Sequence, residues 1–106
     1  MKSVRITEEI KKTMFEERFR SLKRGVVKSK TLVFLEYVKK GVKRYEVGNP
    51  LDNNLIVGTV RVHIPPDLNR EICNLMAEEL KTGRNISFSR ITSNLFLLGC
   101  NGGREE

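Results

Sequence analysis

The sequence predicts a small α+β protein in which two helices pack on a mostly antiparallel sheet. Two segments place apolar residues at helical spacing ahead of a glycine, and five shorter segments have the composition or alternation of strands. The length of 106 residues suits a single domain. We expect one domain over 1–100, in the order helix, three antiparallel strands, helix and β-hairpin, then a disordered C-terminal tail over 101–106. Neither an internal repeat nor an interdomain linker is evident.

The first helix is predicted from its ends. Thr7 is a suitable N-cap, Glu8 and Glu9 in the first turn interact favourably with the helix dipole, and Gly25 is a natural stop. Four apolar side chains share one face of this helix and are expected to pack in the core: Met14, Phe15, Phe19 and Leu22.

Two strands joined by a tight turn are expected next. Residues 31–38 are apolar on both faces, as in a strand covered on both sides, although periodicity alone also suits a buried helix. Lys39, Lys40 and Gly41 form the predicted turn, with the glycine at a positive φ, and 42–47 form the returning strand.

The third predicted strand spans 55–64 and follows a loop over 48–54. The end of this strand alternates in polarity, which is typical of a strand with one face in the core and one in solvent. One face carries Val60, Val62 and Ile64, and the other carries Thr59, Arg61 and His63.

The second helix is expected to begin after Pro65 and Pro66, with Asp67 as its N-cap, and to end at Gly83. The apolar face of this helix consists of Leu68, Ile72, Leu75, Met76 and Leu80. The closing hairpin is predicted from an alternating segment over 85–91, a turn over 92–94 and an apolar run over 95–98.

The excess of positive charge is confined to one half of the chain. Residues 1–46 carry fourteen Lys and Arg against six Glu, a net charge of +8, whereas 47–106 carry six against seven Asp and Glu, a net charge of −1. Basic excess on one part of a small domain is typical of a polyanion binder, because cations that neutralise phosphates release condensed counterions. We therefore expect a protein that binds RNA or DNA mainly through the backbone.

The expected phosphate contacts are the cations at the end of the first helix, in the loop that follows and around the predicted turn. Two tyrosines beside them are expected to stack on unpaired bases. The complete set is Arg18, Arg20, Lys23, Arg24, Lys28, Lys30, Lys39, Lys40, Lys43 and Arg44, with Tyr37 and Tyr45 as the stacking groups. The alternative is a solvated surface whose lysines guard a strand edge against aggregation.

No catalytic or metal-binding pattern is present in the sequence. His63 is the only histidine and has no partner at a telling spacing, and Cys73 and Cys100 lack the paired spacing of zinc ligands. Helix, three strands, helix and strand is also the core order of the restriction-enzyme-like nucleases, but the third strand carries none of the acids that such a site needs. We expect a non-enzymatic protein with no cofactor, no metal and no small-molecule substrate.

A second class of function is consistent with the same residues. A strand that is apolar on both faces needs cover on both sides, so a protein-interaction or regulatory module is the alternative, as a homodimer or bound to an acidic partner protein. Small size and the lack of motifs would also fit a phage- or virus-encoded accessory protein. Since the N-terminus has no apolar signal core and no segment is long enough to span a bilayer, we expect a cytoplasmic protein with reduced cysteines and no membrane contact.

Overall fold

The computed structural model describes residues 2–48, 50–51 and 56–104, with side chains up to residue 100. These residues form a small α+β domain with four helices and one two-stranded sheet, so the predicted five-stranded sheet is wrong. The elements in chain order are β1 (Lys2–Thr7), α1 (Glu8–Lys23), α2 (Lys30–Arg44), β2 (Ile56–Val62), α3 (Pro66–Lys81) and α4 (Phe88–Arg104).

The sheet is an antiparallel ribbon made by β1 and β2. Its register pairs Ser3 with Arg61 and Val4 with Val60. The strand predicted over 55–64 is confirmed by β2, whereas β1 was not predicted. The signal for β1 lies in Val4 and Ile6, which alternate with polar residues and are both buried.

Residues 31–47 do not form two strands and a turn. Residues 31–44 lie in α2, and Gly41 occupies a buried position inside the helix rather than a turn. Ser29 caps α2 by accepting a hydrogen bond from the Leu32 backbone N–H at 3.1 Å. Four buried residues lie on one side of the helix: Val33, Phe34, Val38 and Gly41. The apolar pattern of 31–38 was compatible with either a strand or a buried helix, and the structure shows the helix.

The predicted closing hairpin is also wrong, because 88–104 form α4. The side chains that suggested a turn are satisfied inside the helix: the Thr92 hydroxyl donates to the Phe88 carbonyl at 2.7 Å, and the Asn94 amide donates to the Arg90 carbonyl at 2.9 Å. The helix includes the first four residues of the predicted tail, and 105–106 lie outside the described residues.

The two predicted helices are confirmed as α1 and α3, but some of the residues predicted to be buried on them are exposed. Thr7 caps α1 as expected, but Phe15, Phe19 and Leu22 are exposed, because α1 turns Ile10 and Met14 toward the core. Asp67 lies in the first turn of α3 and is not its N-cap. Leu80 is exposed as well, whereas Leu68 and Ile72 are buried as expected.

Most of the predicted loop over 48–54 lies outside the described residues.

The helices α2 and α4 cross with their backbones in contact. A Cβ atom added to Gly41 would lie 1.8 Å from the Leu95 carbonyl oxygen, and one added to Gly99 would lie 2.0 Å from the Tyr37 carbonyl oxygen. Only glycine permits such an approach. Phe34 and Phe96 stack beside the crossing with ring centroids 5.3 Å apart.

The chain contains a structural repeat, contrary to the expectation from the sequence. The helices α1 and α3 both have 16 residues and begin at Glu8 and Pro66, 58 positions apart. The same separation relates the positive-φ glycines Gly25 and Gly83, the crossing glycines Gly41 and Gly99, and the paired residues Ser3 and Arg61. Two strand–helix–helix units are therefore related by an approximate two-fold axis that passes through the Ser3–Arg61 pair and the crossing of α2 and α4.

Candidate nucleic-acid interface

The outer face of the β1–β2 ribbon is polar and exposed. Val4 and Val60 point into the core, and strand alternation turns their neighbours the other way. The outer face therefore presents Ser3 opposite Arg61 and Arg5 opposite Thr59. All four of these residues are exposed, and so is His63, which continues the alternation just beyond β2.

The free edge of β1 is held by two serines of α4. The Arg5 backbone N–H donates to the Ser89 hydroxyl at 2.7 Å, and the Ser93 hydroxyl donates to the Arg5 carbonyl. These serines lie one helical turn apart and satisfy both polar groups of one strand residue. The backbone of Arg5 is thus fixed, while its side chain is exposed and lines the neighbouring cleft.

A cleft of about 580 Å³ lies between the ribbon and the start of α4. Arg5 and Arg90 line it together with several hydroxyl side chains, and the described residues around it include no Asp or Glu. Ser87 lies at the same end, where its hydroxyl accepts a hydrogen bond from the Arg90 backbone N–H at 3.2 Å. The cleft therefore offers hydrogen-bond donors and positive charge, which suits an anionic group.

The cations that the sequence placed at the end of α1 surround a carboxylate. Arg20, Arg24 and Lys28 approach the Glu17 carboxylate at 3.0, 3.7 and 3.5 Å, and Lys28 also pairs with Glu36 at 3.2 Å. Partial burial acts to raise the pKa of Glu17, but the hydrogen bonds and charges of Arg20 and Lys28 outweigh it and lower that pKa. Three of the ten predicted phosphate contacts are thus engaged with acids.

The other predicted cations are divided between structural and exposed positions. Arg18 donates to the Lys28 carbonyl at 3.2 Å, and Arg44 donates to the Gly99 carbonyl at 3.1 Å. The Lys23 ammonium lies 5.2 Å from the centre of the Phe19 ring. The remaining four are exposed along α2: Lys30, Lys39, Lys40 and Lys43.

The structure does not gather the ten cations into one cluster. It brings Arg20, Arg24 and Lys28 together around Glu17, whereas Lys39 and Lys43 lie on the second half of α2. At 1.5 Å per residue, Lys43 is roughly 20 Å along the helix axis from Lys30. The predicted basic residues are therefore spread over α1, the loop that follows it and α2.

Both predicted stacking tyrosines have structural partners. The Tyr37 hydroxyl donates to Glu17 at 3.4 Å, and the Tyr37 ring packs edge-on against Phe96 with a centroid distance of 5.1 Å. The Tyr45 hydroxyl donates to the buried carboxylate of Glu79, and burial together with this bond raises the pKa of Tyr45 to about 12. Stacking of bases on these rings stays a prediction.

The ribbon residues were missed as a site, although the sequence carried a signal for half of them. The polar face with Thr59, Arg61 and His63 is visible from alternation alone. The partner strand is visible only once Ser3, Val4, Arg5 and Ile6 are read with the same period. A segment this short, directly before a helix cap, is only weakly predicted to be a strand. Pairing of β1 with β2 is what places the polar side chains of both strands on one face.

Metal sites and membrane-spanning helices were also considered within the described ranges. No group of three or more His, Cys, Asp or Glu is placed to hold a metal ion there, and none of the helices described is long and apolar enough to cross a membrane. Cys73 and Cys100 are free thiols. Comparison with models of known protein families, with curated proteins and with solved structures finds no match.

Proposed function

We propose that this protein binds double-stranded DNA by placing the β1–β2 ribbon in the major groove. The observation that carries this proposal is the outer face of the ribbon, where Ser3, Arg5, Thr59 and Arg61 are exposed on a surface whose opposite side is the core. A B-form major groove about 12 Å wide admits a two-stranded ribbon, and known β-ribbon readers use this geometry.

The chemistry of this face suits readout of bases. Within the described ranges, neither Arg5 nor Arg61 forms an ion pair, unlike Arg20 and Arg24 beside Glu17. A guanidinium makes two parallel hydrogen bonds to guanine O6 and N7, and a Ser or Thr hydroxyl bonds to several base edges. The exposed lysines of α2, Lys30, Lys39, Lys40 and Lys43, are then available for phosphate contacts.

DNA is favoured over RNA by the shape of the ribbon. The major groove of A-form RNA is deep and narrow, and side chains cannot read it. The two tyrosines expected to stack on unpaired bases, Tyr37 and Tyr45, instead donate hydrogen bonds to Glu17 and Glu79.

The approximate two-fold axis of the protein matches the local symmetry of a duplex, but its two halves carry different side chains. Positions related by 58 residues pair Ser3 with Arg61, and Arg5 with His63. The target is therefore a duplex site whose contacted base pairs are placed symmetrically about its centre but differ in base sequence between the two halves.

Selection of binding sites from a random duplex library tests this function. We expect enrichment of a short, non-palindromic motif, and the double variant R5A/R61A to lose discrimination between this motif and scrambled DNA. Each lost bidentate contact costs about 1–3 kcal/mol of discrimination. The matched control K39A/K40A should weaken binding to both duplexes equally and flatten the salt dependence. Unchanged discrimination in R5A/R61A would overturn the ribbon proposal.

A protein-interaction role is the second candidate, and one specific observation favours it. The outward face of α1 is apolar and exposed at Phe15, Phe19 and Leu22. These three side chains belong to α1 and are not among the ribbon residues proposed to read bases.

A further inference from the structure

The apolar face of α1 forms a continuous stripe. Phe15, Phe19 and Leu22 are 69%, 51% and 58% exposed and follow one another at spacings of four and three residues. This spacing puts them on one side of the helix over about 10 Å of its length. Large exposed apolar side chains that are contiguous, rather than scattered, mark interaction sites.

The repeat shows that this stripe is specific to one half of the molecule. The positions of α3 that correspond to Phe15, Phe19 and Leu22 are Cys73, Ala77 and Leu80. The two aromatic side chains have no counterpart, although the two helices have the same length and place. Because the stripe breaks the approximate two-fold symmetry, a requirement shared by both halves does not explain it. One binding surface per chain does.

The rim of the stripe has a net positive charge. Its flanks carry the exposed cations Lys11, Lys12, Arg18 and Lys23 against one exposed carboxylate, Glu16. At the Phe15 end, a groove of about 320 Å³ lies between α1 and β2, and its lining includes Met14, Val57 and Thr59 together with Lys11, Arg18 and Lys30. An apolar floor with a cationic rim is complementary to an apolar stripe with acidic flanks.

We infer that the α1 face docks an amphipathic helix of an acidic partner protein. Apolar side chains of the partner at positions i, i+3 or i+4, and i+7 pack on Phe15, Phe19 and Leu22, as in other helix recognition sites. Glu and Asp on its flanks pair with Lys11, Lys12, Arg18 and Lys23. This activity goes beyond DNA binding and adds a protein ligand that is held by side chains of α1.

Charge distinguishes this partner from a second copy of the chain. Two α1 faces packed against each other would bring two cationic rims together, and like charges across an interface are unfavourable. An acidic helix relieves this repulsion. Duplex DNA also fits the face poorly, because its bases are stacked inside and its phosphates offer nothing to two phenyl rings.

The test uses the full-length protein and a pair of designed fluorescent peptides. Both peptides are 21-residue amphipathic helices with the same leucine stripe, one with Glu and the other with Lys on its flanks. Fluorescence anisotropy should show saturable binding of the Glu peptide at physiological salt and at least about tenfold weaker binding of the Lys peptide. No preference for the Glu peptide would overturn the inference.

Two substitutions locate the binding face. F15A/F19A should weaken binding of the Glu peptide by roughly tenfold or more, because both side chains are anchors. The matched control is L80A, which removes an exposed apolar side chain from the equivalent surface of α3 and should leave peptide binding unchanged. Equal losses in both variants, or none in F15A/F19A, would contradict the assignment. Circular dichroism verifies that both variants keep their helical content.

Two further measurements separate this inference from its competitors. We expect F15A/F19A to bind duplex DNA as the parent does, so that failure of DNA binding and failure of peptide binding are distinguishable. Sedimentation velocity should show a monomer at micromolar concentration. A dimer that dissociates in F15A/F19A would assign the face to a second copy and overturn the acidic partner, and a loss of DNA binding in that variant would assign it to DNA.

Discussion

Gly41 and Gly99 lie next to each other where α2 crosses α4, and each leaves room for the backbone of the other helix. A Cβ on Gly99 would lie 2.9 Å from the Gly41 backbone nitrogen, and a Cβ on either glycine would overlap a carbonyl oxygen of the opposite helix. These helices form the most extensive contact in the described structure. The crossing therefore joins the two strand–helix–helix units and sets the position of the ribbon relative to the helices.

Replacing either crossing glycine by alanine should destabilise the fold strongly. The added methyl at Gly41 meets the Leu95 carbonyl oxygen at 1.8 Å, and this atom belongs to the backbone and has no free rotamer. We expect a loss of about 3 kcal/mol or more in the free energy of unfolding, at the upper end of the cost of overpacking. Urea denaturation of G41A and G99A measures it. The control G58A adds a methyl in open space and should cost far less. Equal stabilities of G41A and G58A would show that the helices separate easily.

Alkaline titration should reveal the bond between Tyr45 and Glu79. Burial and this bond raise the pKa of Tyr45 to about 12, from an ordinary value of 10.0. The folded state therefore holds the phenolic proton more tightly than the unfolded state, and stability should fall as pH rises from about 10 to about 12. Comparing the unfolding free energy of the parent with that of Y45F across this window isolates the effect. Parallel curves for the two proteins would mean that the phenol titrates normally.

Glu17 should stabilise the fold at neutral pH and also lower the affinity for DNA. Its pKa is lowered in the folded state, so the stabilisation it provides is present above the ordinary value of 4.5 and is lost as pH falls below it. We expect E17Q to be less stable than the parent at pH 7, and this difference in the free energy of unfolding to shrink as pH falls below 4.5. Urea denaturation over a series of acidic pH values measures the difference, and a difference that does not change with pH would contradict the prediction.

The same substitution should change the affinity for DNA. Removing the Glu17 charge releases Arg20 and Arg24 from their ion pairs, whereas Lys28 keeps its ion pair with Glu36. We expect E17Q to bind scrambled duplex more tightly and with a steeper dependence on salt, because additional cations neutralise phosphates. Fluorescence anisotropy over a salt series measures the slope. The control E78Q removes an exposed carboxylate from α3, 3.4 Å from Lys81, and should have little effect on the slope.

Arg5 and Arg61 should read different base pairs. Arg61 lies opposite Ser3 near the approximate two-fold axis, and Arg5 lies two residues further along β1. At about 3.4 Å per residue, this offset is about 7 Å, or two base-pair steps. We expect R61A to relax specificity near the centre of the site and R5A to relax it on one side only. Binding-site selection with each variant measures this, and symmetric relaxation by R5A would contradict the asymmetric site.

Sequence reasoning located some elements and missed the architecture for identifiable reasons. The helix that begins after Thr7 was predicted because its cap and its stop at Gly25 are local signals. The segment around Gly41 was misread because a glycine after two lysines resembles a turn. Only the opposite helix shows that Gly41 is a contact. Phe15 and Phe19 were assigned to the core because hydrophobicity predicts burial, and no local signal shows which apolar face lacks a neighbour.

The sequence by itself determined the α+β class, the ends of α1, the presence of α3, the alternating strand β2 and the excess of positive charge in the first half. These depend on caps, breakers, periodicity and composition, which act over a few residues. Tertiary structure alone decided that 31–44 and 88–104 are helices, that β1 pairs with β2, and which cations remain exposed. The reason is physical: an apolar run takes the form that buries it best, and the partner that buries α2 is α4, more than fifty residues away in the chain.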